Sequence, residues 1–264
     1  MSGVAVVTGG SSGIGRCTAL ALKDLGYTVY EFSRREKGFD DVAHICCDVT
    51  KEDAVNAAVK EVLDREGTID VVVNAAGFGI SGAVEFTQTA DAKRLFDADF
   101  FGTVNVNRAV LPHMRGKHSG RIVNISSVAA PIAIPFQTYY SAAKSAINAY
   151  TMALANEVRP YGVTVCAVQP GDIATGFTAA REKSIDGDAE YGGRIERSVA
   201  TMEHDEQNGM KPEVAGRFIA RVAKKKKSRK PLYTIGAQYK LFCFLAKVLP
   251  AQLLNWLVGL IYAK

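Results

Sequence analysis

Tyr140 and Lys144 are the two residues of this sequence whose types and spacing point most directly to chemistry. A separation of four residues places both side chains on one face of a helix, with Cβ atoms about 5–6 Å apart. A nearby ammonium favours the phenolate, so the pair predicts that Lys144 lowers the pKa of Tyr140 from about 10 toward neutral pH. Tyr140 would then serve as a proton donor or acceptor. Tyr139 is the alternative, but a spacing of five to Lys144 suits a shared face less well.

A glycine cluster, TGGSSGIG, runs from Thr8 to Gly15 between an apolar strand pattern and an amphipathic helix pattern. Glycines allow a tight turn and a close approach of the backbone to a pyrophosphate, whose charge is favoured at the start of a helix. The position of the cluster therefore predicts a dinucleotide-binding turn. The residues predicted to contact the cofactor here are Gly9, Ser11, Ser12, Gly13, Ile14 and Gly15.

Strand and helix patterns alternate along most of the chain. The predicted strands are Val4–Val7, Thr28–Phe32, Ala43–Cys47, Val71–Asn74, Arg121–Ile125 and Val163–Val168. The predicted helices are Ile14–Leu25, Glu52–Arg65, Ala90–Met114 and Ser141–Val158. This order predicts an α/β fold in which residues 1–264 form a single doubly wound Rossmann domain, with a parallel sheet flanked by helices and ligand at the carboxyl ends of the strands. We expect residues 176–210 to form a substrate lid and residues 239–262 a C-terminal helical cover, split into two helices by Pro250.

The composition excludes several other classes of protein. With 48% hydrophobic residues in 264, the chain is typical of a globular protein. Five cysteines, two of them adjacent, are a poor basis for disulfides, and the N-terminus does not resemble a signal peptide, so we expect a cytoplasmic location. The four histidines lack ligand spacing, and no metal site is predicted.

Together, the TGxxxGxG and YxxxK motifs resemble the short-chain dehydrogenase/reductase family, over Val4 to about Thr175. Asn74–Glu85 is also similar to members that act on hydroxysteroids or retinoids. The resemblance implies a Rossmann fold and reversible hydride transfer between a nicotinamide cofactor and a secondary alcohol, ketone or aldehyde.

The resemblance also assigns roles to individual residues. Ser127, thirteen residues before Tyr140, would hydrogen-bond the substrate oxygen, with Ser126 as the less favoured alternative by spacing. Tyr140 would transfer the proton, and both Tyr140 and Lys144 would contact the cofactor. The further cofactor contacts implied are Asp48, Val49, Asn74, Ala75, Ala76, Gly77, Pro170, Gly171, Ile173 and Thr175.

One position departs from the family pattern. Family members usually carry an asparagine where this chain has Asp99, and Gly102 sets the alignment that matches the two positions. That asparagine helps to hold a water near the lysine. An acid here would stabilise the Lys144 ammonium and partly cancel its pull on the tyrosine. Asn105 or Asn107 would be the matching residue in another register.

The end of the second strand bears on the choice of cofactor. NAD-preferring members have an acidic residue at the position of Ser33, and Ser33-Arg34 instead resembles the NADP pattern, with a guanidinium for the 2′-phosphate. NADP(H) is therefore favoured over NAD(H). Glu31 lies two positions too early for the NAD pattern, and Ser12 stands where some NADP-using members have a basic residue.

The formal net charge of +5 has a local origin. The run KKKKSRK at 224–230 carries six basic residues, and without them the charge is −1. No aromatic residue interrupts the run, so a solvated face is expected and no nucleic-acid partner. The apolar segment 239–262 has three interpretations: packing over the substrate, a homo-dimer or homo-tetramer contact, or an interfacial helix that makes peripheral membrane contact through 224–262.

Apolar residues follow both Asn74 and Ser127, which favours a lipophilic substrate such as a hydroxysteroid. The sequence thus predicts an NADP(H)-dependent enzyme acting on a lipophilic alcohol or carbonyl compound. The alternative is a non-catalytic NADP(H)-binding sensor or scaffold, a class that usually lacks the tyrosine or the lysine.

Overall fold

Seven parallel strands form the central sheet of this computed structural model, which describes residues 3–39, 42–225 and 227–263. The strands of these residues are β1 (Val4–Thr8), β2 (Thr28–Ser33), β3 (Ala43–Cys46), β4 (Val71–Asn74), β5 (Ile80–Ser81), β6 (Gly120–Ile125), β7 (Val163–Gln169), β8 (Glu182–Lys183) and β9 (Leu232–Thr234). Their order in the sheet is β3-β2-β1-β4-β6-β7-β9, and β5 and β8 form a separate short pair. The order reverses direction between β1 and β4, which is where a doubly wound sheet binds its ligand.

Helices cover both faces of the sheet. They are α1 (Gly13–Asp24), α2 (Glu52–Glu66), α3 (Thr89–Phe96), α4 (Gly102–Gly116), α5 (Thr138–Glu157), α6 (Phe177–Ala180), α7 (Arg194–Gln207), α8 (Pro212–Lys224), α9 (Ala237–Val248) and α10 (Ala251–Tyr262). One apolar core lies between the sheet and α2, α4 and α5, and a second lies between the sheet and α1 and α8. Because both faces are covered, β1, β4 and β6 are buried along their whole length. The predicted α/β Rossmann fold is confirmed.

The register of the sheet aligns polar residues at its carboxyl edge. Thr8 pairs with Asn74, and Asn74 pairs with Asn124. Asn74 Nδ2 donates to Asn107 Oδ1 at 2.7 Å and to Asn124 Oδ1 at 2.9 Å, and Asn124 Nδ2 donates to Thr151 Oγ1 at 2.9 Å. This buried network ties β4 and β6 to α4 and α5, so the strand ends are held rigidly next to one another.

The structure differs from the sequence prediction in several elements, among them the short pair of β5 and β8, which was not predicted. The predicted helix 90–114 is two helices, α3 and α4, joined by a π-helical turn at Asp97–Phe101. Helix α8 and the edge strand β9 were not predicted, although α8 begins with a proline and buries apolar residues at helical spacing. Within the described part of the chain, no helix has both the length and the apolar character needed to span a membrane.

Helices α1 and α8 pack closely at Gly216, where a Cβ would lie 2.5 Å from the backbone carbon of Cys17. We therefore expect Gly216→Ala to force the helices apart, at a cost of about 1–3 kcal/mol. The melting temperature should fall by roughly 2–4 °C per kcal/mol in a chain of this size. Calorimetry of Gly216→Ala measures this.

Gly116→Ala is the matched control, because a Cβ at this helical glycine has open space around it. Its melting temperature should be unchanged or raised, since alanine favours helix by about 1 kcal/mol over glycine. Equal melting temperatures for the two variants would contradict the close packing of α1 on α8.

Candidate active site

A buried ion pair between Lys144 and Asp99 lies at the carboxyl edge of the sheet. Lys144 Nζ is 2.8 Å from Asp99 Oδ2, and both side chains are almost fully excluded from solvent. Lys144 Nζ also donates to the carbonyl of Ile125 at 3.3 Å, at the end of β6. Asp99 Oδ1 accepts from the backbone N–H of Phe78 at 2.9 Å, just after β4. A Cβ on Gly77 would lie 2.7 Å from Asp99 Oδ1, so only glycine leaves room for this carboxylate.

The π-helical turn positions Asp99. Such turns insert an extra residue into a helix and are frequent at functional sites. Thr103 Oγ1 donates to the Asp99 carbonyl at 2.9 Å, which stabilises the turn. Asn105 and Asn107, the alternative matches, lie elsewhere: Asn105 Nδ2 donates to the Val49 carbonyl and Asn107 belongs to the asparagine network.

Tyr140 lies beside this pair, one helical turn before Lys144 on α5. The Lys144 Nζ atom is 5.3 Å from the centre of the Tyr140 ring, and the ring of Phe177 packs on Tyr140 at 5.8 Å. The Ser127 hydroxyl lies near enough to Tyr140 to act on the pKa of the phenol, and its Oγ accepts from the Ala129 N–H at 3.1 Å. Ser126 Oγ instead donates to the Lys144 carbonyl at 3.1 Å and is buried. The structure therefore brings Ser127, Tyr140, Lys144 and Asp99 together, and Ser126 holds the backbone of α5.

Lys144 acts on the tyrosine in the predicted direction, but its lowering effect on the pKa of Tyr140 is outweighed. Burial raises the pKa of Tyr140, and the charge of Asp99 raises it further, against the lowering effects of Lys144 and of the Ser127 hydroxyl. The pKa of Tyr140 therefore lies above its ordinary value. Burial also raises the pKa of Asp99 against the pull of Lys144, while the pKa of Lys144 is raised because Asp99 and Tyr140 outweigh its burial. Spacing alone could show neither the partial burial of the phenol nor the direct contact between acid and lysine.

The glycine cluster forms the other half of the cleft. Gly9 and Gly13 have positive φ angles of 64° and 52°, and a Cβ on Gly15 would lie 2.2 Å from the Gly9 carbonyl oxygen. Thr8 Oγ1 accepts hydrogen bonds from the backbone N–H groups of Ala75 and Ala76, which locks the turn to the end of β4.

Across the cleft, a Cβ on Gly13 would point into the space facing Thr175, at 3.7 Å from its side chain. A cavity of about 470 Å³ opens here between Gly13, Arg16, Thr175 and Pro212. Ser12 is the exposed N-cap of α1, and its hydroxyl makes no bond to the helix start. Backbone N–H groups at this helix end, with no Cβ in the way, fit the pyrophosphate of a dinucleotide.

The remaining predicted cofactor residues lie at the same edge of the sheet. Ser11 and Ile14 are half-buried in the turn, Ser33 ends β2 and Arg34 is exposed after it. Asp48 Oδ1 accepts from the N–H and the hydroxyl of Thr50 and so caps a turn, next to Val49. The other four residues follow β7. The Pro170 carbonyl accepts from the Val128 N–H, and Gly171 lies under the ring of Tyr239. Ile173 forms a β-bridge with Met210, and Thr175 Oγ1 accepts from the Phe177 N–H.

Glu31 and His44 form a buried contact that the sequence did not predict. Glu31 is fully buried, and its Oε1 contacts His44 Nδ1 on the neighbouring strand β3. His44 Nε2 lies 2.9 Å from the Arg35 carbonyl, so the pair holds the loop that presents Arg34. Ser33 Oγ donates to Glu31 Oε1 at 3.3 Å. The only sequence signal was an acidic residue within an apolar strand, which requires a buried partner.

The fold and the site define an oxidoreductase of the Rossmann class, with a dinucleotide cleft and a tyrosine, serine and lysine at one end of it. Residues 3–186 match the model of the short chain dehydrogenase family. The chain belongs to this family, and it is an enzyme that uses a nicotinamide cofactor.

Individual relatives agree with this assignment. The chain is 40% identical over 226 residues to the 3-ketodihydrosphingosine reductase of Bacteroides thetaiotaomicron, covering 84% of each protein. It superimposes on a short-chain dehydrogenase from Streptomyces avermitilis with a TM-score of 0.85 and 32% identity, covering 97% of this chain and 96% of that one. It also superimposes on the solved structure of ElxO with NADP bound, with a TM-score of 0.76 and 25% identity, covering 91% and 100%.

Replacing Asp99 by the isosteric asparagine tests its influence on Tyr140. Because the carboxylate raises the pKa of Tyr140, Asp99→Asn should lower that pKa. At an effective dielectric constant of about 20, a unit charge is worth about 4 kcal/mol at roughly 4 Å and about 2 kcal/mol at roughly 8 Å, so the shift should be about one to three pH units. Alcohol oxidation requires the phenolate, so the acid limb of its kcat/KM profile should move to lower pH by about this amount.

The measurement is the pH profile of oxidation for wild type and Asp99→Asn, with cofactor affinity as a check on folding. Loss of activity at every pH would show that the carboxylate has an essential role of its own. A shift of the acid limb to higher pH would show that Asp99 does not raise the pKa of Tyr140.

Proposed function

We propose that this chain is an NADP(H)-dependent oxidoreductase that interconverts a secondary alcohol and a ketone or aldehyde on a lipophilic substrate. The observation that carries the proposal is the grouping of Tyr140 with Ser127 and the Lys144–Asp99 pair, at the end of the dinucleotide cleft. Each group has a distinct chemical task there.

Ser127 and Tyr140 act on the substrate oxygen. In reduction, Ser127 donates a hydrogen bond that polarises the carbonyl, and Tyr140 delivers the proton to the developing alkoxide. In oxidation, Tyr140 takes that proton from the alcohol. Lys144 remains an ammonium in both directions, because Asp99 holds its pKa above the ordinary value. The nicotinamide cofactor, when bound, supplies or accepts the hydride.

Three observations support NADP(H) over NAD(H). Arg34 is exposed directly after Ser33 at the end of β2, where a guanidinium can pair with a 2′-phosphate. The one acidic residue of this strand, Glu31, is buried against His44 and does not present its carboxylate at the strand end. The solved relative ElxO binds NADP.

A lipophilic substrate fits the walls around Tyr140. Phe78 and Phe96 pack in a cluster with Tyr140, together with Ile80 and Leu95, and Phe177 covers the ring. The relative with 40% identity is named for a long-chain aliphatic ketone, which leads us to place a long-chain keto lipid before a hydroxysteroid. Both classes have an apolar body and one reacting oxygen.

The wider setting is also a proposal. We place the enzyme in the cytoplasm, since all five cysteines are free thiols, and we expect a homo-dimer or homo-tetramer.

Residues 176–210, with α6, β8 and α7, act as the substrate lid: Phe177 packs on Tyr140, and Glu182 pairs with Arg94 at 2.6 Å. The alternative, a cofactor-binding sensor without turnover, gives the site no use for Tyr140.

Substrate class is tested by NADPH oxidation with 3-ketodihydrosphingosine, a ketosteroid and a small polar ketone. We expect the highest kcat/KM with the long-chain ketone, because its chain removes apolar surface from water. Tyr140→Phe should lower kcat by about 10²–10⁴-fold with little change in NADPH affinity. Preference for the polar ketone would overturn the lipophilic proposal. Equal, negligible turnover by wild type and Tyr140→Phe, with NADPH still bound, would favour the sensor.

Cofactor choice is tested with Arg34→Ala. Loss of a charged hydrogen bond costs about 1.5–3 kcal/mol, so KM for NADPH should rise about 10- to 150-fold, while KM for NADH stays nearly constant. Arg35→Ala is the matched control, because Arg35 is the next residue and its side chain is exposed as well. The substitution keeps the Arg35 backbone carbonyl that contacts His44. Equal effects of Arg34→Ala on the two cofactors would contradict the proposed phosphate contact.

A further inference from the structure

The two C-terminal helices carry most of the exposed apolar surface of the described residues. Of sixteen large apolar side chains exposed there, nine belong to α9 and α10. These nine form what we term the C-terminal apolar surface: Leu241, Phe242, Phe244, Val248, Leu253, Trp256, Leu257, Leu260 and Ile261. Phe244 and Ile261 are each 59% exposed and Trp256 is 58% exposed, values that are costly in water unless another surface covers them.

Few contacts hold these helices to the rest of the molecule. Tyr239 of α9 donates to Asp172 Oδ2 at 2.7 Å, and Cys243 is buried. On α10, Val258 is buried, Tyr262 donates to Asp205 Oδ2 at 3.4 Å, and the carbonyl after it, that of Ala263, accepts from Arg194 at 2.7 Å. One side of the helix pair is therefore docked, and the other side has no protein partner within the described chain.

The charged residues of the two helices themselves have a single sign. The last acidic residue of the sequence is Glu213, and the charged residues of α9, Lys240 and Lys247, are both exposed lysines. An apolar face with exposed tryptophan and phenylalanine, flanked by lysines and free of carboxylates, matches the interface of an anionic membrane. A second copy of this surface would instead bring its lysines toward one another.

We propose that the C-terminal apolar surface docks the enzyme on anionic membranes, with α9 and α10 lying in the interface. The helices have twelve residues each and are separated at Pro250, so they lie on a bilayer rather than cross it. Tyr239 lies over Gly171, and Tyr262 packs in the apolar cluster that joins Phe136 to Ile195 of the lid. Docking thus places the mouth of the site against lipid. Only the delivery of a lipid substrate along this route rests on the proposed function.

The described residues of the basic run at 224–230 lie away from the C-terminal apolar surface. The Met210 N–H donates to the Asp172 carbonyl, so helix α8, which begins two residues later, starts near Asp172. Its thirteen residues extend roughly 19 Å toward the amino ends of the strands. The carbonyl of Ser228 accepts from Arg121 near the start of β6. Lys226 lies outside the described residues. The sequence expectation of membrane contact through 224–262 is therefore narrowed to 237–262.

Trp256 is the single tryptophan of the chain and a reporter at the centre of the proposed contact. The full-length protein is mixed with phosphatidylcholine vesicles, with or without phosphatidylglycerol, and the tryptophan emission is recorded. We expect a blue shift and quenching by brominated lipid with anionic vesicles, weakened by salt because the lysine contribution is screened. No shift with either vesicle type, and no co-sedimentation, would overturn the proposal.

Val248→Asp and Val214→Asp form a matched pair. Val248 is 56% exposed on α9, whereas Val214 is 41% exposed on α8. Val248→Asp should weaken vesicle binding by about tenfold or more, since it removes an apolar contact and adds repulsion, and Val214→Asp should leave it unchanged. Equal weakening by both variants would overturn the proposal. Light scattering without lipid measures the oligomeric state of the same variants. The proposal would also be overturned if Val248→Asp converted a dimer into monomers while the wild type failed to bind vesicles.

A short-chain, water-soluble ketone separates this proposal from the proposed function. Val248→Asp should reduce it as fast as wild type, and should lose rate only with a long-chain ketone presented in anionic vesicles. Vesicle binding by a wild type that reduces no ketone would refute the proposed function and leave the docking intact. Full activity toward vesicle-borne ketone in a variant that no longer binds vesicles would refute delivery from the membrane.

Discussion

The burial of Lys144 together with Asp99 constrains the whole carboxyl edge of the sheet. Removing two charges from water costs more than their attraction returns unless the remaining polar atoms are also satisfied. Here the Phe78 N–H and the Ile125 carbonyl supply those partners, from the ends of β4 and β6. Helix α5, the π-helical turn and two strand ends must therefore keep their relative positions, since a shift of any one would leave a buried charge without its partner.

This constraint shapes the chemistry of the tyrosine. A lone ammonium beside Tyr140 would favour the phenolate strongly, but an ammonium paired with a carboxylate acts as a nearly neutral unit. Burial is then the largest effect, so the pKa of Tyr140 lies above its ordinary value and the phenol is held as a proton donor. Such an arrangement suits reduction of a carbonyl, in which the tyrosine must give up a proton, better than oxidation, in which it must first lose one.

The apolar features of the chain are arranged around the same edge. Phe78 and Phe177 pack against Tyr140, and Glu182 of β8 pairs with Arg94. Tyr239 and Tyr262 attach the C-terminal helices close by. Polar groups are thus concentrated at the reacting centre, and apolar surface increases outward to the exposed face of α9 and α10. A long apolar molecule with one polar end would match that gradient.

The sequence by itself determined the fold class and the positions of six strands along the chain. It also indicated that Tyr140, Lys144 and the glycine turn belong to one site, because these properties depend on short spacings and local patterns. Only the tertiary structure decided which serine faces the tyrosine, that Asp99 touches Lys144 directly, and that Glu31 pairs with His44. It also separated the basic run from the apolar tail, although the two are close in sequence. These properties depend on distances between segments far apart in the chain, and on burial, which changes the energy of a charge in ways that no local spacing records.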